Sequence, residues 1–162
     1  MNVVADTAST AEHASASVSI LHALRRYMPE AERSVVTCAL RGDEGLWFAQ
    51  TLRGIRDLIA AMPYTYQTDG QGDAAVVHLH YFNGGGDWYI TERDRGESTE
   101  SVADPFAGEQ LQAFGLACPF GDDGELGYIS IQELIACGVE LDLHWKPRSL
   151  GDVRKARAHR PA

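Results

Sequence analysis

At 162 residues the chain has the size of one domain, and its apolar content of 44% is close to ordinary globular usage, so a packed core is within reach. No run approaches the roughly 18 apolar residues of a membrane span. No basic segment precedes an apolar one near the N-terminus, so neither a membrane nor a secretory route is expected. The formal charge of −9 is uneven. Residues 87–145 hold 13 acids against Arg93 and Arg95, a net of −11, whereas residues 146–162 have a net of +5. An acidic body repels nucleic-acid phosphate and attracts basic protein surfaces, and the same charge serves solubility. Cys38, Cys118 and Cys137 are odd in number and have no ligand-like spacing, which reads as buried or idle thiols in a reducing cytoplasm.

In chain order, residues 1–17 are rich in Ala, Ser and Thr without a pattern and are expected to be a disordered tail. Val18, Leu21, Leu24 and Met28 recur at helical spacing until Pro29 stops them, with Arg25 and Arg26 toward solvent. The clearest helix follows. Phe48, Leu52, Ile55, Ile59 and Met62 draw one apolar stripe, Asp43 is the candidate N-cap, and Pro63 ends the helix near Met62. Tyr64 to Asp73 has turn chemistry and reads as a loop.

Residues 74–92 read as a β-hairpin. Val77, Leu79 and Tyr81 share one face, and Val76, His78, His80 and Phe82 share the other. Asn83-Gly84-Gly85-Gly86 supplies residues able to take positive φ at the turn. Residues 94–109 read as an acidic surface loop. Gln110 to Cys118 reads as a third strand, with Gly115 at a bulge or a close packing point, and Glu125 to Ile129 as a fourth. Ser130 and Glu133 form a capping box for a two-turn helix leaving at Gly138. Val139, Leu141, Leu143 and Trp145 alternate with Glu140, Asp142 and His144 as a last, half-buried strand closed by Pro147. The predicted fold is α+β: an antiparallel sheet of about five strands, a long amphipathic helix packed on one face, and a short helix before the last strand. One domain is expected over 18–147, with a basic tail over 148–162 that has room for a turn or two of helix but little apolar face to dock.

At the hairpin and later strands the chain resembles the DUF2958 family of uncharacterised bacterial proteins. Trp88 to Glu92, Phe114-Gly115, Glu125 to Ser130 and Asp142 to Pro147 carry the resemblance, which spans about residues 75–150. Residues 38–73 look like an extension found in longer relatives. The resemblance implies an accessory role on plasmids, phages or integrated elements, near DNA-processing or antirestriction genes. It supplies no catalytic residues to carry over.

Three functional readings follow. In the first, the protein is a non-catalytic interaction protein. Asp94, Glu97, Glu100, Asp104, Glu109, Asp122, Asp123 and Glu125 engage a basic patch on a host or element-encoded DNA-handling protein, in an antirestriction-like manner that includes DNA mimicry. In the second, His78-x-His80 pairs with Asp142 and His144 to hold zinc or another divalent metal in a nucleic-acid-processing enzyme, if those strands are neighbours. His-x-His on a strand is more often an ordinary polar face, and no cofactor is otherwise expected. In the third, Lys146, Arg148, Arg154, Lys155 and Arg157 contact nucleic acid. The aromatic set Tyr81, Phe82, Trp88, Tyr89, Tyr128 and Trp145 reads as core and cross-strand pairs, or as a stacking platform for single strands. No phosphate loop and no G-x-S-x-G elbow is present.

Overall fold

A computed structural model describes residues 15–98, 103–121 and 123–159. The fold is α+β. Helix α1 covers residues 15–23 and tightens into a 3-10 turn at Leu24–Arg26. Helices α2 (Glu30–Ala39) and α3 (Gly45–Ala61) follow. The strands are β1 (Val76–Val77), β2 (Leu79–Phe82), β3 (Asp87–Glu92), β4 (Ala113–Cys118) and β5 (Glu125–Ile129). Helix α4 (Ile131–Ala136), strands β6 (Glu140–Leu141) and β7 (Arg148–Ser149), and helix α5 (Leu150–Ala158) complete the chain. Five strands form an antiparallel sheet in the order β5-β4-β3-β2-β6, and β1 pairs with β7 in a separate two-stranded ribbon.

The predicted α3 stripe packs as expected: Leu52, Ile55, Ile59 and Met62 are buried, with Phe48 against the same core. They meet Leu79, Tyr81 and Ile90 of the sheet and Leu24, Tyr27 and Met28 from the N-terminal turn. Burying each such aliphatic side chain contributes about 1.5–3 kcal/mol, so this stripe is the main anchor of the helical layer. Asp43 is not the cap; α3 begins after Glu44 and no side chain caps it. Val18 faces out, and Ile20 and Leu21 take the buried positions of α1.

Three sequence expectations are corrected on the sheet's second face. The hairpin arm breaks at His78, whose N–H donates to Ile90 O at 2.8 Å. Val77 therefore leaves the side of Leu79 and Tyr81, and packs with Tyr89, Leu116 and Cys118. The turn at 83–86 uses no positive φ: Asn83 Oδ1 accepts from Gly85 N (3.0 Å) and Gly86 N (2.8 Å) and closes it through the side chain. The last strand stops at Leu141, because Asp142 Oδ1 accepts from His144 N at 2.9 Å and turns the chain. Trp145 then reaches the second face and donates Nε1–H to Val77 O at 3.1 Å.

The stretch expected to be a basic tail is part of the packed structure through residue 159. β7 pairs with β1, Ser149 Oγ accepts from Asp152 N at 3.1 Å as an N-cap, and α5 buries Leu150 and Val153 on the second face. Two buried residues suffice because the rest of the docking is ionic, as described below. At the other end, residues 15–17, expected in the disordered tail, are helical and Ser17 is buried; residues 1–14 lie outside those described.

Gly115 is a close packing point, as expected. A Cβ there would collide with Tyr89 O, and the β3–β4 register shifts beside it between Ile90 and Glu92. Ser130 Oγ accepts from Glu133 N at 3.2 Å and starts α4 as predicted.

Helix α2 places Glu32 against β6, where Oε2 accepts from Leu141 N at 3.0 Å. Burial pushes this carboxyl up to about 7, and Glu140 and Asp142 add to it against the opposing Leu141 bond. Below its usual value of 4.5 both folded and unfolded chains carry the proton. Between 4.5 and 7 only the unfolded chain ionises, so stability falls as pH rises through that window. Glu32→Gln keeps the acceptor and removes the charge. It is expected to stabilise the fold by about 1–2 kcal/mol at pH 8, discounted for partial exposure, and to change little at pH 4. Urea denaturation at the two pH values measures this.

Candidate functional site

The register His80↔Tyr89 on the β2–β3 hairpin stacks the His80 imidazole flat on Tyr89, with centroids 4.7 Å apart and planes 8° apart. Trp145 lies 5.0 Å away at a tilt and Phe82 5.8 Å away. Both ring nitrogens meet carboxylates: Nδ1 lies 3.0 Å from Asp142 Oδ2 and Nε2 lies 2.9 Å from Asp87 Oδ1. The other Asp87 oxygen accepts from Arg157 Nη1 of α5 at 2.7 Å, and the same nitrogen donates to the Tyr89 hydroxyl at 3.3 Å. Burial would raise the Asp87 carboxyl, but the bonds from His80 and Arg157 outweigh it and hold it below its usual value. A cavity of about 570 Å³ opens over this cluster, walled by Tyr89, Trp145, Arg148 and Arg157. A second of about 660 Å³ adjoins it above the hairpin turn and shares His80, Asp87, Asp142 and Arg157.

This geometry decides between chemistries. Both ring nitrogens are taken up by these carboxylate contacts, so neither is turned toward open solvent in this arrangement. Of His78, His80, Asp142 and His144, His80 and Asp142 bond to each other and His144 lines the same cavity. The exposed His144 ring stacks on Trp47 at 4.9 Å. His78 is half-buried, its Nδ1 has no hydrogen-bond partner among the described residues, and burial lowers its pKa. Among the described residues no group of three or more His, Cys, Asp or Glu side chains is arranged to hold a metal ion.

The basic residues divide. Arg157 is committed to Asp87, and Arg154 pairs with Asp73 at 2.7 Å. Lys146 and Lys155 are exposed, and the exposed Arg148 lies over the Trp145 ring at 4.4 Å. Among the described residues no helix is long and apolar enough to cross a membrane.

The acidic set divides as well. Asp94 organises its loop, accepting from Gly96 N (2.7 Å), Leu111 N (2.9 Å) and Gln112 N (2.8 Å). Glu109 pairs with Arg26 at 2.9 Å. Asp104 is exposed and also accepts from Phe106 N at 2.9 Å. Glu97, Asp123 and Glu125 are exposed. Glu100 and Asp122 lie outside the described residues. Residues 96–145 contain no Lys or Arg at all, so β4 and β5 at one edge of the sheet, and β6 at the other, bring no cations of their own.

Over β4 and β5 lies the stretch whose turn chemistry predicts a loop. Residues 64–75 fold over the outer face of β4 and β5 and enclose a groove of about 580 Å³ walled by Tyr66, Phe114, Leu126 and Tyr128. Tyr66 adopts φ +78°, an uncommon conformation for a bulky residue. Glu92 holds it there: this carboxylate is 3% exposed and accepts from Tyr66 N (2.8 Å), Thr68 N (2.5 Å) and Thr68 Oγ1 (2.6 Å). The Tyr66 ring is left exposed, and the Tyr128 hydroxyl donates to its oxygen at 3.0 Å. Two tyrosines in a turn-rich stretch, facing an apolar residue at every second position of β5, were the only local signal. Comparison with protein-family models, curated proteins and solved structures found no match.

Proposed function

We propose that the protein is a non-catalytic accessory protein of a mobile genetic element, acting in the cytoplasm, whose acidic side engages a basic surface on a DNA-handling or host-defence protein. The observation that carries this reading is the cation-free stretch 96–145 with Glu97, Asp104, Asp123 and Glu125 exposed along it. Complementary charge accelerates encounter with a basic partner and excludes acidic ones. The contacts that occupy both nitrogens of His80 support a structural role for that cluster, which ties α5 to the sheet through Asp87 and Arg157. The resemblance to DUF2958 supports the mobile-element setting.

A triple variant, Glu97→Lys, Asp123→Lys and Glu125→Lys, tests the reading without touching a carboxylate that holds the fold. Capture from an extract of the natural host with the wild type is expected to retain basic proteins whose yield falls about tenfold or more with the variant, as the loss of several rim charges implies. Equal capture by the two proteins would remove the proposal.

A second reading has its own observation. Lys146 and Arg148 stand at the mouth of the His80 cavity beside the Trp145 ring, a cation and aromatic pairing suited to a phosphate-bearing ligand. Binding of a single-stranded oligonucleotide that Lys146→Ala with Arg148→Ala abolishes would favour it.

A further inference from the structure

We propose that the open edge of β5, with the groove beside it, takes an extended basic segment of the partner protein by strand addition. The inference rests on the acidic side being a partner surface and names the form in which the partner binds.

Sheet edges in native proteins are blunted by brevity, Lys, Pro, bulges or a covering element. The β6 edge obeys this: it has two residues, and Leu141 N already donates to Glu32. The β5 edge does not. It has five residues (ELGYI) without Lys or Pro, its register with β4 runs through five pairs without a shift, and among the described residues it pairs on one side only. Leu126 is 44% and Tyr128 56% exposed on the face that carries the groove. Gly127 points to the other face, where a Cβ would meet nothing within 4 Å. An added strand therefore finds an edge of β5 that no strand among the described residues pairs with, an apolar recess for one side chain, and open space behind Gly127.

Charge selects the occupant. Asp123 and Glu125 stand exposed at the start of the strand, and Glu97 lines a hollow that shares Thr65 and Tyr66 with the groove, where Glu109 is already paired with Arg26 and Arg95 also lines the wall. A segment carrying Lys or Arg with an apolar residue at alternate positions meets both demands, backbone bonds supplying affinity and the recess supplying selectivity. A second copy of this chain would set two groups of these carboxylates along one edge with no cation between them.

The probe is a fluorescein-labelled seven-residue peptide alternating lysine and valine. Two versions of equal charge are N-methylated on one or the other set of alternate backbone amides. We expect the parent peptide to bind by anisotropy, one methylated version to bind about tenfold or more weakly, and Leu126→Ala with Tyr128→Ala to weaken the parent severalfold. By NMR, alternate amides of Glu125–Ile129 are expected to exchange about tenfold more slowly with the peptide present. If all three peptides bind alike and the β5 amides are unchanged, while Asp123→Lys with Glu125→Lys still abolishes binding, strand addition fails and the acidic reading stands. If no peptide binds and charge reversal also leaves partner capture unchanged, both fail. A peptide-free dimer in which the β5 amides are already protected assigns the edge to a second copy and overturns the proposal.

Discussion

Asp87→Ala is expected to cost about 3–5 kcal/mol, because it strips a half-buried ionic cluster of its central anion. Asp87 and Arg157 side chains are each 13% exposed and His80 is 12% exposed. Without Asp87, His80 Nε2 loses its carboxylate contact and the Arg157 guanidinium loses its carboxylate while retaining the Tyr89 hydroxyl. Against a total of about 5–15 kcal/mol for a domain, that is a large fraction of the stability. The loss is expected to concentrate on α5, since Leu150 and Val153 are its buried apolar anchors. Hydrogen exchange over residues 150–158, together with urea unfolding at pH 7, measures both. The sign with pH follows from the lowered Asp87 carboxyl. Its stabilisation is complete above the usual value of 3.8 and is lost as pH falls through the lower folded value, so wild-type α5 is expected to loosen only in that acid range. Uniform destabilisation with α5 protection unchanged would contradict the role given to Asp87.

Glu92→Ala is expected to cost about 3–4 kcal/mol, since three hydrogen bonds are lost and two backbone N–H groups are left without their acceptor. The residue is 3% exposed, so water does not readily replace the carboxylate. Tyr66 would also be freed from its positive φ, a conformation that costs about 1–3 kcal/mol and persists only when the surroundings enforce it. Glu92→Gln retains one good acceptor and should cost about half as much. Denaturation, with exchange rates for the Tyr66 and Thr68 amides, separates the two variants. Because Tyr66 walls the groove beside β5, Glu92→Ala should also weaken the alternating peptide severalfold in protein that remains folded. Unchanged stability would show that the 64–75 segment is held by other means.

The parts of the fold that were legible depend on short-range patterns. The α3 stripe, the β2–β3 hairpin and the Ser130 cap each follow from residues within a few positions of one another. The docking of helix α5 was not legible because its third docking residue is not apolar. Leu150, Val153 and Arg157 recur at helical spacing, and Arg157 belongs to the buried face only because Asp87 waits there 70 positions earlier. Helix α2 escaped because it buries little beyond Val36, leaving Val35 exposed. The last strand was overextended because alternation continues through Trp145 in the sequence, while the Asp142 side chain turns the backbone at His144. The candidate site was legible in its charge and not in its shape. The acid excess of 87–145 is visible in composition, but only packing shows that Asp94 and Glu109 are used internally and that Asp123 and Glu125 stand free at an open sheet edge.

Salt dependence of partner binding tests the central claim most directly. The basic protein captured by the wild type, or the lysine and valine peptide, is titrated with the untagged protein from 50 to 400 mM salt. An acidic side that binds through complementary charge predicts affinity falling steadily, by about tenfold or more over that range, with the slope flattened in the Glu97, Asp123 and Glu125 charge-reversed variant. Affinity that is flat with salt and indifferent to charge reversal would contradict it.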